Sequence, residues 1–169
     1  VAQKLIASSW DLAVVANQTD PSIPALKGWR KEVFGNDALK LKSGEIALSS
    51  KNGVLKITAK KESYGGKNYT SGRVRTYQKL DFTYGRVDIK AKMPSKAGTW
   101  PALWMLGSNY DSIDWPKCGE MDILEHAGNR LNQVQSTVHH PDNYGGGDSN
   151  TTYDYNDVSS NFHVYSIVW

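Results

Sequence analysis

The chain has 169 residues and a formal net charge of +3, with 39% apolar and 22% charged residues, the balance of one globular domain over 1–169. Its lysines are scattered rather than gathered into a basic stripe, which argues against a nucleic-acid partner. No apolar run approaches the roughly 18 residues of a membrane helix. A single cysteine, Cys118, excludes an internal disulfide and a multi-cysteine metal site.

The aromatics are unusual: six Trp and nine Tyr against three Phe, so most aromatic side chains carry a polar tip suited to a wet binding surface. Few segments fit a helix: "GNDALKLKSG" (35–44) is too short and too polar to predict one. "GEIALSSKNGVLKITAKK" (44–61) predicts a hairpin. Ile46 and Leu48 lie on one arm and Leu55, Ile57 and Ala59 on the other, with Asn52-Gly53 as the turn. "KESYGGKNYTSG" (61–72) reads as a loop and "TYQKLDFTYG" (76–85) as a strand. "GRVDIKAKMP" (85–94) alternates cleanly: Val87, Ile89, Ala91 and Met93 face one way, the charged residues the other.

"GTWPALWML" (98–106) sets Trp100, Ala102, Trp104 and Leu106 on one face. A loop over 106–119 leads to "GEMDILEHAG" (119–128), where Glu120, Asp122 and Glu125 sit among Met121, Ile123 and Leu124. Acids in apolar company need a partner or a purpose. In a strand over 117–126, Glu120 and Asp122 share a face, but Glu125 is an odd five positions from Glu120 and would point into the core. A β-bulge at Ile123-Leu124 adds one residue and restores parity. Glu120 and Glu125 would still lie roughly 13 Å apart along a flat strand, so the strand must also curve. "NQVQSTVHH" (132–140) is a further strand, 140–161 a long loop, and "NFHVYSIVW" (161–169) a strand with His163, Tyr165, Ile167 and Trp169 on one side. Short strands with regular turn signals predict an all-β sandwich.

Carboxylates beside several tryptophans suit a sugar groove. Indole faces stack on pyranose rings, and two carboxyl groups about 5–5.5 Å apart perform retaining glycoside hydrolysis. "WPKCGEMDILEH" resembles the signature of glycoside hydrolase family 16 in its bulged form. "TSGRVRT", "YGRVDIKAKMP", "GTWPALWML", "STVHHP" and "FHVYSIVW" resemble that family's other blocks, in its order. Within the family the context is most similar to bacterial endo-β-1,3-glucanases, the laminarinases.

The resemblance implies a concanavalin A-like jelly roll of two curved antiparallel sheets, with a groove across the concave one. It implies Glu120 as nucleophile, Glu125 as general acid/base and Asp122 as the residue that holds the nucleophile. Trp115 and Trp104 would stack on sugar near the cleavage point, with Trp100 on the same face. Arg73 would bond sugar hydroxyls, and His139 would reach the groove, whereas His140 reads as structural. The substrate would be a laminarin-like β-glucan cut at internal β-1,3 bonds, outside the cytoplasm or in the periplasm. Catalysis would need no metal. Many members carry a structural calcium, whose ligands the sequence does not identify.

Two departures stand out. The N-terminal "GWRKEVFGND" keeps Gly28 and Trp29 but lacks the family's sugar-binding asparagines. The chain stops at Trp169, short of the strands that complete both sheets in the family, which fits a fragment of a longer chain or one half of a nicked protein whose partner is a complementary C-terminal fragment. The competing readings are a non-catalytic glucan-binding sandwich and a family member acting on mixed-linkage glucan, agar or carrageenan.

Overall fold

A computed structural model describes residues 10–15, 48–51, 54–64, 67–77, 81–145 and 150–169. Among them there are twelve strands and no helix: β1 (Trp10–Val15), β2 (Leu48–Lys51), β3 (Val54–Ile57), β4 (Lys60–Tyr64), β5 (Lys67–Thr70), β6 (Arg73–Arg75), β7 (Arg86–Ala91), β8 (Ala102–Gly107), β9 (Glu120–Glu125), β10 (Gln133–His139), β11 (Asn150–Asp154) and β12 (His163–Val168). Six of them form one antiparallel sheet in the order β11-β10-β9-β8-β1-β6. β12 pairs with β7, β2 with β3, and β4 with β5.

Alternation explains the second layer. In β7, Val87, Ile89 and Ala91 are half-buried while Arg86, Asp88 and Lys90 are exposed. β12 repeats the pattern, and its register sets Tyr165 opposite Ile89 and Ile167 opposite Val87. These inner faces pack on Leu103, Met105, Met121, Ile123, Leu124 and Val134 from the large sheet. Met105, Met121 and Leu124 are wholly buried, so the core lies directly behind β8 and β9. Most residues of both faces of those two central strands are buried, so alternation vanishes from their burial.

Several expectations are corrected. The segment 61–72 is not a loop: it supplies most of a hairpin, β4–β5, with Lys61 opposite Tyr69 and Tyr64 opposite Lys67. Its polar residues are largely exposed, so no apolar period announces it; the Gly-Gly between the strands was the available signal. The loop expected over 140–161 contains β11, a polar edge strand on β10. The acidic strand begins at Glu120 rather than at 117, because residues 115–118 form a turn. The described part of 76–85 is turn, bend and a single bridge at Phe82, not a strand. The hairpin over 44–61 is present as β2–β3, with Lys51 opposite Val54; its Asn52-Gly53 turn and Ile46 lie outside the described residues. So do 28–37 and 35–44, with Gly28 and Trp29. Among the described residues no helix is long and apolar enough to cross a membrane.

Candidate active site

β9 pairs with a neighbour on each side, and both registers slip at the same place. Against β8, Trp104 lies opposite Asp122 but Leu103 lies opposite Leu124. Against β10, Thr137 lies opposite Asp122 but Gln135 lies opposite Glu125. Ile123 is therefore the extra residue, the bulge that the parity of the three acids requires. Directly paired residues share a face, so Glu120, Asp122 and Glu125 line one surface with Leu106, Trp104 and Ala102 on one side and His139, Thr137 and Gln135 on the other. Ile123 and Leu124 both pack into the core behind.

A turn over 114–119 delivers the chain to β9. The N–H groups of Lys117 and Gly119 donate to the carbonyls of Asp114 and Pro116, at 2.9 Å each. Gly119 takes φ 79°, left-handed backbone that a side chain would strain, immediately before Glu120. Beyond β9, Gly128 donates its N–H to Thr99 O at 2.9 Å. A Cβ at Gly128 would fall 2.0 Å from Lys96 O and 2.4 Å from Thr99 Oγ1. Gly128→Ala is expected to cost about 2 kcal/mol or more, since backbone must move. A denaturant midpoint unchanged from wild type would contradict this.

The three acids differ in environment. Asp122 is only 2% exposed, and burial together with the Glu125 charge holds its carboxyl well above the usual carboxylate range. Burial and the Asp122 charge push Glu120 up to about 8, with His139 acting the other way. His139 Nε2 lies 3.2 Å from Asp122 Oδ2. Glu125 Oε1 accepts the indole N–H of Trp100 at 2.9 Å, and Thr137 Oγ1 lies 3.5 Å from Oε2. Cys118, buried beside Glu120, is pushed up to about 11 by burial and that charge, so its thiol stays protonated near neutral pH.

Burial and mutual repulsion keep Glu120 and Asp122 from both ionising freely. Asp122→Asn removes the like charge that raises Glu120. It is expected to move the acidic limb of any Glu120-dependent rate to lower pH, and an unmoved limb would show that Asp122 does not tune Glu120.

The aromatic side chains divide. Trp115 is 44% exposed and meets His139 and Tyr144 edge-on, at 5.7 and 5.4 Å between ring centres. Trp104 is only 7% exposed, and the Arg73 guanidinium lies 4.3 Å over its ring. Trp104 is thus covered, with the Arg73 guanidinium rather than open space above its indole. Trp100 is half-buried against Glu125. His140 is buried, its backbone bridged to Asn143. A shallow hollow lies beside Glu125, lined in part by Trp100, Arg130, Gln135 and Thr152. Tyr144, Thr137 and Gln135 were not singled out from the sequence. The period-two face of "QVQSTVH" that carries His139 also carries the last two. For the metal question, Glu120, Asp122 and His139 are the group among the described residues whose donor atoms fall within 4.8 Å of one another, and this is the acidic cluster itself.

The sequence model of glycosyl hydrolases family 16 matches residues 34–169. The chain belongs to glycoside hydrolase family 16. The family 16 chain is 37% identical over 174 residues to a beta-glucanase of Rhodothermus marinus, covering 96% of this chain and 60% of that protein. The crystal structure of the laminarinase catalytic domain from Thermotoga maritima superposes with a TM-score of 0.68 at 40% identity, over 72% of this chain and 52% of that one. The catalytic domain of an endo-1,3-beta-glucanase (laminarinase) from Thermotoga petrophila gives 0.66 at 41% identity, over 70% and 50%. The chain thus spans between half and two-thirds of the length of these relatives. The fold of this family 16 chain is the all-β sandwich that its short alternating strands predict, of the jelly-roll type that the family resemblance implies.

Proposed function

We propose that this chain carries the reacting centre of a retaining endo-glycoside hydrolase that cuts internal β-1,3 bonds of laminarin-like β-glucans. The observation that carries the reading is the bulge at Ile123, which turns Glu125 to the face of Glu120 and Asp122. Likeness to laminarinases and to an endo-1,3-beta-glucanase supports the substrate class.

In this mechanism Glu120 attacks the anomeric carbon while Glu125 protonates the departing glycosidic oxygen. Glu125 then takes a proton from the water that releases the glycosyl ester. The nucleophile must be ionised when it attacks. Burial and the Asp122 charge push Glu120 up to about 8, so the attacking form is the one in which the proton has left Glu120. Trp115, exposed at the Glu120 end, offers a stacking face, and Arg73 offers donors to sugar hydroxyls from above Trp104. Protein side chains supply the nucleophile, acid and base, so the reaction draws on no metal. A polymer substrate places the enzyme outside the cytoplasm, secreted or in the periplasm.

The test is incubation of the intact protein with laminarin, with reducing ends followed chemically and the first-formed anomer followed by proton NMR. Internal cutting gives a rapid fall in polymer length and a β product. An α product would overturn the retaining mechanism. Hydrolysis of mixed-linkage glucan, agar or carrageenan instead of laminarin would move the substrate. Glucan binding with no new reducing ends from any of them would make the chain a binding sandwich.

A further inference from the structure

Trp100 lies before the first residue of β8, yet it continues the β8–β9 ladder. His126 donates its N–H to Pro101 O at 3.1 Å and Gly128 donates to Thr99 O at 2.9 Å, extending the pairing past Ala102 and Glu125. Trp100 therefore shares a face with Ala102 and Glu125 and stands diagonal to Glu125, within reach of a long side chain. Its backbone is fixed by a turn in which both the N–H and Oγ1 of Thr99 bond Lys96 O, at 3.1 and 2.6 Å. The close approach of Gly128 seats that turn on the chain just beyond β9.

The indole N–H donates to Glu125 Oε1 at 2.9 Å. An indole nitrogen has a proton to give and no lone pair to accept one. It can meet Oε1 only while Oε1 is bare, and that holds for the neutral acid as well as for the carboxylate. Any proton on Glu125 then sits on Oε2, where the Thr137 hydroxyl makes a long 3.5 Å contact. We propose that Trp100 is a positioning residue: its N–H assigns proton transfer to Oε2 of Glu125 and holds that carboxyl in one orientation.

This inference rests on the hydrolytic reading above. In the first half-reaction the Oε2–H bond breaks and the proton goes to the glycosidic oxygen. That oxygen leaves with the electron pair of its bond to the anomeric carbon as Glu120 bonds to the same carbon. In the second half Oε2 takes a proton from water, the water oxygen bonds to the anomeric carbon, and the ester bond to Glu120 breaks with its electrons returning to Glu120. Oε1 takes no part in either half and can be committed to the indole throughout.

A sugar platform and a positioning donor make different demands on position 100. Trp100→Phe keeps an aromatic face and removes the N–H. Benzothienylalanine at the same position keeps the whole bicyclic shape and replaces only the N–H by sulfur. For both variants kcat on a laminarin oligosaccharide is expected to fall about tenfold or more, with KM within about twofold of wild type. On the 2,4-dinitrophenyl glycoside of the same sugar, whose leaving group needs no proton, kcat/KM is expected to stay near wild type. A raised KM with unchanged kcat would make Trp100 a stacking platform and overturn the proposal. So would an equal loss of kcat/KM on both substrates.

Should the wild type hydrolyse no glucan at all, the functional reading fails, and the indole contact is then judged alone by NMR. A protected Trp100 N–H resonance that moves on Glu125→Gln supports the contact. A freely exchanging one that ignores that substitution removes it.

Discussion

Glu120→Gln is expected to lower kcat on a β-1,3-glucan by about 10⁴- to 10⁶-fold while leaving affinity for the glucan nearly intact. The amide keeps the size and most of the hydrogen bonding of the carboxyl but cannot form the glycosyl ester. Chemical rescue separates this role from a general loss of shape. In Glu120→Gly, azide can enter the vacated space and attack a dinitrophenyl β-glycoside from the face opposite the leaving group, giving the α-glycosyl azide. A variant that retains wild-type turnover, or that returns only the β-azide, would remove Glu120 from the nucleophile's place.

The same substitution is expected to stabilise the fold in alkali. Glu120 in the folded chain is pushed up to about 8 by burial and by Asp122, whereas an unfolded glutamate titrates near 4.3. Below about 4.3 both states hold the proton and the site costs little. As pH rises toward 8, the unfolded chain ionises readily while the folded chain does not, so stability falls across that window and is lost through the folded value. Glutamine carries no such dependence. Melting temperatures of wild type and Glu120→Gln are therefore expected to lie closer at pH 5 than at pH 8.5, where the variant is the more stable by about 3 °C or more. A constant difference across that range would show that Glu120 carries no raised affinity for its proton.

Much of this site was legible because it breaks rules that ordinary strands obey. Three acids among Met121, Ile123 and Leu124 cannot be accommodated by simple alternation, and the bulge follows from parity alone. Clean alternation likewise exposed the inner faces of β7 and β12. The polar strands left no such trace. β4, β5 and β11 are written in Lys, Glu, Ser, Asn, Thr, Asp and Tyr, and their pairing depends on neighbouring backbone rather than on a buried stripe. β1 lies between β8 and β6 as an apolar run, "WDLAVV", with no period to read. Among the aromatics near the acids, the sequence showed that tryptophans gather there but not which way each turns. Trp104 lies beneath Arg73, Trp115 is open, and Trp100 gives its N–H to Glu125. Those differences arise from register and from a cross-strand cation, which one strand's sequence does not contain.

Glu125→Ala is the sharper test of chemistry, because its effect should depend on the substrate. Without an acid, the glycosidic oxygen must leave as an alkoxide, so kcat/KM on a glucan is expected to fall by about 10²- to 10⁴-fold. A dinitrophenyl leaving group departs as a stable anion, and kcat/KM on that glycoside should change little. Its kcat should still fall, because water attacking the glycosyl ester has lost its base and the ester accumulates. Azide needs no base. It should restore kcat and release the β-glycosyl azide, the opposite anomer from the Glu120→Gly product, since it enters from the face Glu125 occupied. This pair of opposite anomers depends on the two carboxyl groups lying on opposite sides of one anomeric carbon, which the bulge makes feasible by bringing Glu125 to the face of Glu120. Equal losses on glucan and dinitrophenyl glycoside, with no effect of azide, would place Glu125 outside the reaction and leave the bulge at Ile123 as a structural feature only.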